Sequence, residues 1–249
     1  MQTKFARARF PFAKVNVILY KMGHKISPYA LRLGINTYWR SRWITKRYFP
    51  LILEADYLIR KNIKEMFPKA GIVEIIIERK SLDHCKVSIY SARPGILIGK
   101  EGQALKNLIE KLEKEINPLF IKKNLTPPKI EIDVIEVKKP FLYAAYLAEV
   151  AANEIEKGVP TRRVLKKIAE RAKEQKEILG FMATAKGRVD GATIKRTEKI
   201  SWGRLPRSKL IADIDYAERQ VLTKYGIVGL KVWLYRGDKE KYDLENVTA

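Results

Sequence analysis

The stretch that decides the fold is "SARPGILIGKEGQALKNLIEKLEKEI", residues 91–116. Within it, Gly99 and Gly102 flank Lys100 and Glu101, and the apolar spacing after them predicts a helix over 103–116. A glycine-rich turn at the start of a helix often binds phosphate, because the backbone N–H groups there are accessible and carry partial positive charge. The pattern therefore indicates a site for the phosphate of a nucleotide or a nucleic acid, unless the glycines only end one helix and begin the next.

The nucleotide alternative fails on spacing. A P-loop has four residues between its first glycine and a Gly-Lys-Ser/Thr end. Here three residues separate Gly95 from Gly99, and Lys100 is followed by Glu101, which offers no hydroxyl to a magnesium ion. A Gly-x-x-Gly loop between two helices instead suits a sugar–phosphate backbone, which can approach peptide N–H groups where no Cβ intervenes.

The charge balance favours the nucleic-acid interpretation. The chain has 249 residues with 50 Lys and Arg against 28 Asp and Glu, a net charge of +22. Such self-repulsion is typical of a protein with a polyanionic partner, either a nucleic acid or an anionic membrane surface. No apolar run approaches the ~18 residues that a membrane span needs, so the sequence predicts no membrane insertion.

The scarcity of reactive side chains argues against catalysis. The single cysteine, Cys85, alternates with Val87 and Ile89 in "HCKVSIY", which indicates a buried strand thiol. With only two histidines, the sequence offers no His/Cys metal cluster and no convincing nucleophile–base pair. We therefore predict that the protein is not an enzyme and has no metal or cofactor.

The elements predict an α/β (α+β) fold with a basic arm, two folded units and a tail. Helical spacing over 50–67, alternating strands at 72–79 and 84–92, the two helices around the glycine loop, and a strand over 129–137 give the order αββααβ. A proline-bearing linker is predicted at 117–128. The second unit has helices over 141–158 and 161–180 and four strand-like segments at 181–188, 192–200, 209–216 and 227–235. The predicted boundaries are 1–48 for the arm, 49–138 and 139–237 for the units, and 238–249 for the tail.

The arm is basic without compensation. The chain has no acidic residue before Glu54 but eleven Lys and Arg, and we expect the arm to be an extended segment lying on a polyanion. In "TYWRSRW" aromatic residues that can stack on bases alternate with arginines that can bind phosphate. The alternative, that the aromatics only anchor the arm to the folded unit, stays open. The candidate contacts are Lys25, Arg32, Trp39, Arg40, Arg42 and Trp43.

The helix over 161–180 has its charges in an unfavourable order. Thr161 is its predicted N-cap and Gly180 its C-terminal stop. One predicted stripe is apolar, from Val164 to Leu179, and the acids come late in the helix. The helix dipole favours the reverse order of charge by ~0.3–1 kcal/mol per charge. A polyanion bound at the start of the helix would explain the cost, and a merely solvated face is the alternative. The four early cations are Arg162, Arg163, Lys166 and Lys167.

Several motifs resemble one known family. The element order with "IGKEG" resembles a type-two KH domain, and "ARPGILIGKEG" resembles the KH loop of the small-subunit ribosomal protein S-three family. "MGHKISPYALRLGI" (22–35) resembles that family's amino terminus. "GRVDGATIKRTE" (187–198) and "LIADIDYAERQVLTKYGIVGLKVWLYRG" (210–237) resemble its carboxy-terminal domain.

The resemblance implies a structural protein of the small-subunit head that binds small-subunit ribosomal RNA. It further implies a place at the channel through which messenger RNA enters, beside ribosomal proteins S-ten and S-fourteen, in a cytoplasmic ribosome. The early cations of the 161–180 helix would line the messenger path and assist the unwinding of structured messenger. The implied KH-loop residues are Arg93, Gly99, Lys100, Glu101 and Gly102.

The sequence departs from the family pattern in three places, one of which is the linker at 117–128, which is longer than usual. The family loop often carries lysine where Glu101 stands, which is expected to reduce phosphate affinity. Residues 1–21 have no clear counterpart, so they are either an extension upstream of a start at Met22 or a presequence for an organellar ribosome. A free KH-type RNA-binding regulator outside the ribosome is the alternative function.

Overall fold

A computed structural model describes residues 26–45 and 47–239. The predictions for residues 1–21, for Lys25 and for the tail from 240 onward lie outside the described residues. The described chain forms two α/β units, each built on a four-stranded sheet, with the arm in contact with both. No helix within the described ranges is long and apolar enough to cross a membrane.

The first unit confirms the predicted αββααβ order. Its elements are α2 (Phe49–Met66), β2 (Ile72–Glu78), β3 (His84–Ser91), α3 (Pro94–Ile98), α4 (Gln103–Ile121) and β4 (Lys129–Glu136). Strand β3 lies between β2, which is antiparallel to it, and β4, which is parallel to it. Helices α2 and α4 pack together over the sheet and bury a core that includes Ala55, Ile59, Ile63, Ile75, Val87, Ile89, Leu108, Leu112 and Ile116.

The predicted linker at 117–128 is partly wrong, because α4 continues through Pro118 to Ile121. Proline in a helix interior removes one backbone hydrogen bond and usually ends the helix. Here the apolar spacing of Leu112, Ile116 and Phe120 continues at intervals of four residues, and all three side chains are fully buried. Burial of Phe120 therefore offsets the cost of Pro118.

The second unit has two helices on one face of an antiparallel sheet. Helices α5 (Ala144–Glu156) and α6 (Thr161–Lys173) precede strands β5 (Gly180–Gly187), β6 (Arg196–Gly203), β7 (Ala212–Thr223) and β8 (Gly226–Asp238). The strands lie in the order β6-β5-β8-β7, so β6 and β7 are the edges. The four predicted strands are present, but β6 starts at Arg196 rather than at 192, and β7 runs on to Thr223, beyond its predicted end at 216.

Three predicted details of α6 are wrong. The helix ends at Lys173, and Leu179 is 52% exposed while Ile178 enters the core in its place. Thr161 is the first helical residue, and Pro160 occupies the N-cap position. Gly180 does not stop the helix but begins β5, where a Cβ would lie 1.8 Å from the carbonyl oxygen of Arg204. The glycine is required by this close backbone approach.

The described part of the arm is folded onto the protein rather than extended. Its short helix α1 (Pro28–Leu31) contacts β7, and its strand β1 (Ser41–Arg42) pairs in parallel with β2. Asn36 donates from its amide nitrogen to the carbonyls of 210–212. The arm thus joins the two units.

Arg32 corrects one of the predicted RNA contacts. Its side chain is fully buried, and its guanidinium donates to the backbone carbonyls of Ala212 (2.8 Å), Lys209 (2.8 Å), Arg207 (3.0 Å) and Pro28 (2.9 Å). A guanidinium has five N–H donors and no acceptor, so carbonyl oxygens are suitable partners for it. Arg32 is committed to the junction between the arm and the second unit and does not face a ligand.

Candidate nucleic-acid interface

The glycine loop joins α3 and α4 through two glycines that both have positive φ. Residues Lys100–Gly102 form a 3₁₀ turn between α3 and α4. Gly99 has φ 70° and ψ −170°, a conformation almost confined to glycine, and Gly102 has φ 75°. Gly99 also ends α3 by donating its N–H to the carbonyl of Gly95 at 3.0 Å. The glycines therefore have structural roles at the helix ends, and the same conformations expose the turn.

The turn is accessible to an anion. No side chain caps the N-terminus of α4, and the helix dipole gives this end partial positive charge, although the N–H of Gln103 already donates to the carbonyl of Lys100. Lys100, Glu101 and Arg93 are exposed, and Lys100 and Glu101 make no ion pair with another described residue. Glu101 adopts φ 52°, an uncommon conformation for a residue with a side chain. The structure therefore brings the five predicted loop residues to one end of the first unit.

The four predicted cations of α6 do not share one environment. All four are exposed on the face opposite Val164, Leu165 and Ile168, which are fully buried. The Nζ of Lys167 lies 2.6 Å from a carboxylate oxygen of Glu154 on α5. Arg162, Arg163 and Lys166 have no ion pair or hydrogen-bonded side chain within the described part of the protein. The last three are therefore the available cations of this helix.

The negative charge that α6 lacks at its start comes from a distant residue. Asp190 accepts a hydrogen bond from the backbone N–H of Thr161 at 2.8 Å and another from its hydroxyl at 3.0 Å. The carboxylate thus satisfies one of the unpaired N–H groups at the helix start and complements the dipole. Sequence reasoning missed this contact, because only the fold brings the turn before β6 to the start of α6.

A groove runs between α6 and the edge strand β6. Arg162 and Lys166 contribute from the helix, four residues apart on one side of it, and Arg196 and Lys199 contribute from the strand. The basic run "IKRTEK" is the signal that the sequence offers for these strand cations, but only the fold places that run beside α6. Arg163 does not line the groove.

The arm residues mostly contact the first unit. Arg40 pairs with Glu74 at 2.7 Å, Arg42 pairs with Glu78 at 3.0 Å, and the indole N–H of Trp43 donates to Asp56 at 3.0 Å. These contacts agree with the anchoring alternative. The side chain of Trp39 is different, since it is 61% exposed. Its interpretation as a stacking surface for a base stays a prediction, as do the remaining predicted contacts of Arg40 and Arg42.

The groups that could support other chemistry are buried or scattered. Among the described residues no three His, Cys, Asp or Glu side chains are arranged to hold a metal ion. Cys85 is buried, and burial raises the pKa of its thiol to about 11. Asp56, in the same core, accepts two hydrogen bonds from the guanidinium of Arg79 at 2.9 and 3.2 Å. These buried contacts join the arm, α2 and the end of β2.

Comparison with known proteins gives matches over both units. A sequence model of the family described as "KH domain" matches residues 54–142, and one described as "Ribosomal protein S3, C-terminal domain" matches residues 151–234. The chain is similar to proteins named small ribosomal subunit protein uS3. The relative from Ruegeria pomeroyi is 40% identical over 224 residues, which cover 89% of this chain and 90% of the relative. The relative from Desulfitobacterium hafniense is 38% identical over 217 residues, which cover 87% of this chain and 94% of the relative.

Proposed function

Since the chain belongs to the uS3 family of small-subunit ribosomal proteins, we propose that it binds ribosomal RNA in the subunit head and lines the channel through which messenger RNA enters. Membership of this family and the KH domain make it an RNA-binding ribosomal protein of translation. The family is not a class of enzymes. The finer assignment, to messenger as well as ribosomal RNA, is the part that the geometry of α6 supports.

The observation that carries the messenger assignment is the set of unpaired cations on a rigid helix. Arg162, Arg163 and Lys166 have no ion pair within the described residues, and the opposite face of α6 is buried in the core of the second unit. Cations held at fixed positions can bind phosphates of a strand that moves past them. Contacts to phosphate carry no sequence information, which a channel that admits every messenger requires.

The remaining partners follow from the same proposal. The exposed turn around Lys100, together with Arg93 and Trp39, is assigned to fixed ribosomal RNA, where uncapped N–H groups and an aromatic face suit phosphate and base. Ribosomal proteins S-ten and S-fourteen are the proposed protein neighbours. Because the similar proteins named above come from bacteria, we assign the protein to a cytoplasmic ribosome.

The test is a triple substitution of Arg162, Arg163 and Lys166 by alanine in assembled subunits. We expect subunit yield on a gradient to stay nearly unchanged. Relative to the parent protein, the variant should slow translation of a reporter with a hairpin downstream of its start codon more than translation of the same reporter without the hairpin. The matched control replaces Lys157, Lys173 and Lys176, which are exposed and lie outside the groove. Lost assembly, or equal slowing of both reporters, would show that the α6 cations hold fixed RNA.

A further inference from the structure

We infer that helix α5 of the second unit positions the KH loop of the first unit, with Glu149 as the positioning residue. This inference deepens the proposed function and rests on it, since it concerns how the loop is presented to ribosomal RNA. Helix α5 contacts β2 of the first unit as well as β7 and β8 of its own unit. It acts on the loop through two segments of the first unit, 70–71 and 91–93, which lie between α5 and α3.

The close packing of α5 against Gly71 is the first argument. The ring of Tyr146 lies so near that a Cβ built on Gly71 would be 3.0 Å from its Cε2 atom. Tyr146 is buried, and its ring makes an edge contact with the ring of Phe141, with centroids 5.4 Å apart. Gly71 has φ 65°, a conformation that glycine adopts without steric cost. Because no side chain separates the ring from this backbone, a movement of α5 would shift the chain at Gly71.

The charge of Glu149 is the second argument. Glu149 lies one helical turn after Tyr146 and is 9% exposed. Burial raises the pKa of its carboxyl, while Arg219 of β7, the N–H of Gly71 and the guanidinium of Arg93 act in the opposite direction and favour the charged form. The guanidinium of Arg219 donates to the carboxylate at 3.4 Å. The carboxylate therefore attracts groups of both units, Arg219 in its own and Gly71 and Arg93 in the other.

A repulsion that Glu149 offsets is the third argument. Lys64 of α2 faces Arg219 across the junction of the two units, and burial together with Arg219 lowers the pKa of the Lys64 ammonium. The two cations repel each other, since each disfavours the charged form of its neighbour. The carboxylate of Glu149 attracts Arg219 and so reduces this repulsion. Without that negative charge, the repulsion would favour separation of the two units at this point.

A chain of hydrogen bonds carries the position of α5 to the loop. The N–H of Ala92 donates to the carbonyl of Gly71 at 3.1 Å. The hydroxyl of Ser91, which is fully buried, donates to the carbonyl of Ala70 at 2.7 Å and accepts from the N–H of Arg93 at 3.0 Å. Arg93 is the N-cap residue of α3, and α3 is only five residues long and ends at the loop. A shift at Gly71 is therefore transmitted to the loop through one short helix.

The experiment compares Glu149→Gln with Glu156→Gln in the full chain. Glu156 is an exposed residue of the same helix, so both variants gain the same net positive charge. The first measurement is hydrogen exchange. We expect exchange in 91–102 to accelerate about threefold in Glu149→Gln, within the range expected for coupling between sites, and to stay unchanged in Glu156→Gln. Exchange in α6 should stay at the rate of the parent protein, whereas a merely structural role of Glu149 would accelerate it there.

The second measurement is binding of a fluorescent twelve-nucleotide oligouridine at low salt. Added positive charge by itself would strengthen RNA binding equally in both variants. We expect Glu149→Gln to bind about threefold more weakly than Glu156→Gln, because the loop is no longer held in place. Combination with Lys100→Glu, which alters the loop itself, should remove this difference, since the two changes then act through the same contact.

Tyr146 provides a second variant that does not depend on charge. Tyr146→Ala removes the ring that packs on Gly71, and its control, Tyr146→Phe, keeps the ring. Only the alanine variant should accelerate exchange in 91–102. Circular dichroism checks that both variants are folded.

The outcomes separate the positioning role from the function it rests on. Accelerated exchange confined to the second unit would overturn the role of α5. A difference in RNA binding that persists in the Lys100→Glu background would also overturn it, because Glu149 would then act on another RNA surface. If Lys100→Glu weakened binding no more than Lys114→Glu, at an exposed site on α4, the assignment of the loop to RNA would fail, and the exchange rates would decide the positioning role alone.

Discussion

The carboxylate of Asp190 lies 2.8 Å from the backbone nitrogen of Thr161 and 3.0 Å from its hydroxyl oxygen. Helix α6 has no acidic residue in its first turn, so this carboxylate supplies the negative charge that the helix dipole favours there. The unfavourable order of charges along α6 is thus compensated in the fold by the turn that precedes β6. Arg162 and Lys166 remain available to a ligand because Asp190 contacts the helix end and not their side chains.

Substitution of Asp190 is expected to destabilise the second unit. Asp190→Ala removes a capping acceptor and should lower the free energy of unfolding by about 0.5–2 kcal/mol. Asp190→Asn keeps an acceptor, and asparagine tolerates the left-handed backbone at φ 52°. This variant should therefore lose only the attraction between the negative charge and the helix dipole, about 0.3–1 kcal/mol, and salt weakens that attraction. Urea unfolding at low and high salt measures both. An alanine variant as stable as the parent protein would contradict the capping role.

The three glycines around the KH loop should differ in their tolerance of alanine. A Cβ at Gly99 would lie 2.7 Å from the Cβ of Ala104, and the backbone there costs about 1–3 kcal/mol for any other residue. A Cβ at Gly102 meets no atom within 4 Å, so that substitution should cost only the left-handed conformation, about 1–2 kcal/mol. Gly95 has neither constraint, and alanine there should be neutral or stabilise by about 0.4–1 kcal/mol.

Urea unfolding of the three single variants tests this ranking, with Gly95→Ala as the control for a methyl group added to the same region. Gly99→Ala should be the least stable variant and Gly95→Ala the most stable. Equal losses at Gly99 and Gly102 would mean that the contact with Ala104 does not constrain the loop.

Cys85 should make stability fall at alkaline pH. Its thiol has a pKa raised by burial to about 11, against ~8.5 in an unfolded chain. Below pH ~8.5 both states keep the proton, and between the two pKa values only the unfolded state releases it. The free energy of unfolding therefore decreases as pH rises through this window, by up to ~1.4 kcal/mol per pH unit.

Comparison with Cys85→Ala isolates this effect from the other groups that titrate at high pH. The alanine variant should be less stable at pH 8, since it leaves a small cavity. The stability advantage of the parent protein should then shrink between pH 8 and pH 10. An advantage that stays constant over this range would show that the thiol titrates alike in both states.

The elements that the sequence predicts well are those in which local spacing and chain breakers agree. Helix α2 shows helical spacing from Leu51 to Ile63 before Pro68 and Gly71, and β3 alternates cleanly around Cys85. The end of α4 is less predictable, because Pro118 indicates a stop while Phe120 continues the buried stripe. The free energy gained by burying Phe120 in the core decides where the helix ends, and helix propensities do not contain that contribution.

The site residues divide in the same way. The glycine turn and the α6 cations were predictable because backbone freedom and charge order are local properties. Asp190 and Arg196 were not, since only the fold brings the turn before β6 to the start of α6 and places Arg196 beside that helix. Arg32 shows the opposite failure of sequence-based prediction. Its charge predicts a contact with phosphate, but in the fold its guanidinium donates to backbone carbonyls.

Arg32 yields the last prediction, on the junction between the arm and the second unit. Its buried guanidinium donates to carbonyls on both sides of that junction, including those of Pro28 and Ala212. Lysine cannot reproduce a planar fork of donors, so Arg32→Lys should leave buried carbonyls unpaired and lower the free energy of unfolding by about 1.5–3 kcal/mol. Hydrogen exchange should accelerate in the arm and in 207–212, while exchange in α4 stays unchanged. The control is Arg207→Lys, whose side chain is exposed. If Arg32→Lys left stability and exchange unchanged but weakened binding of ribosomal RNA, Arg32 would be the RNA contact that its sequence context predicts, and the junction would not depend on it.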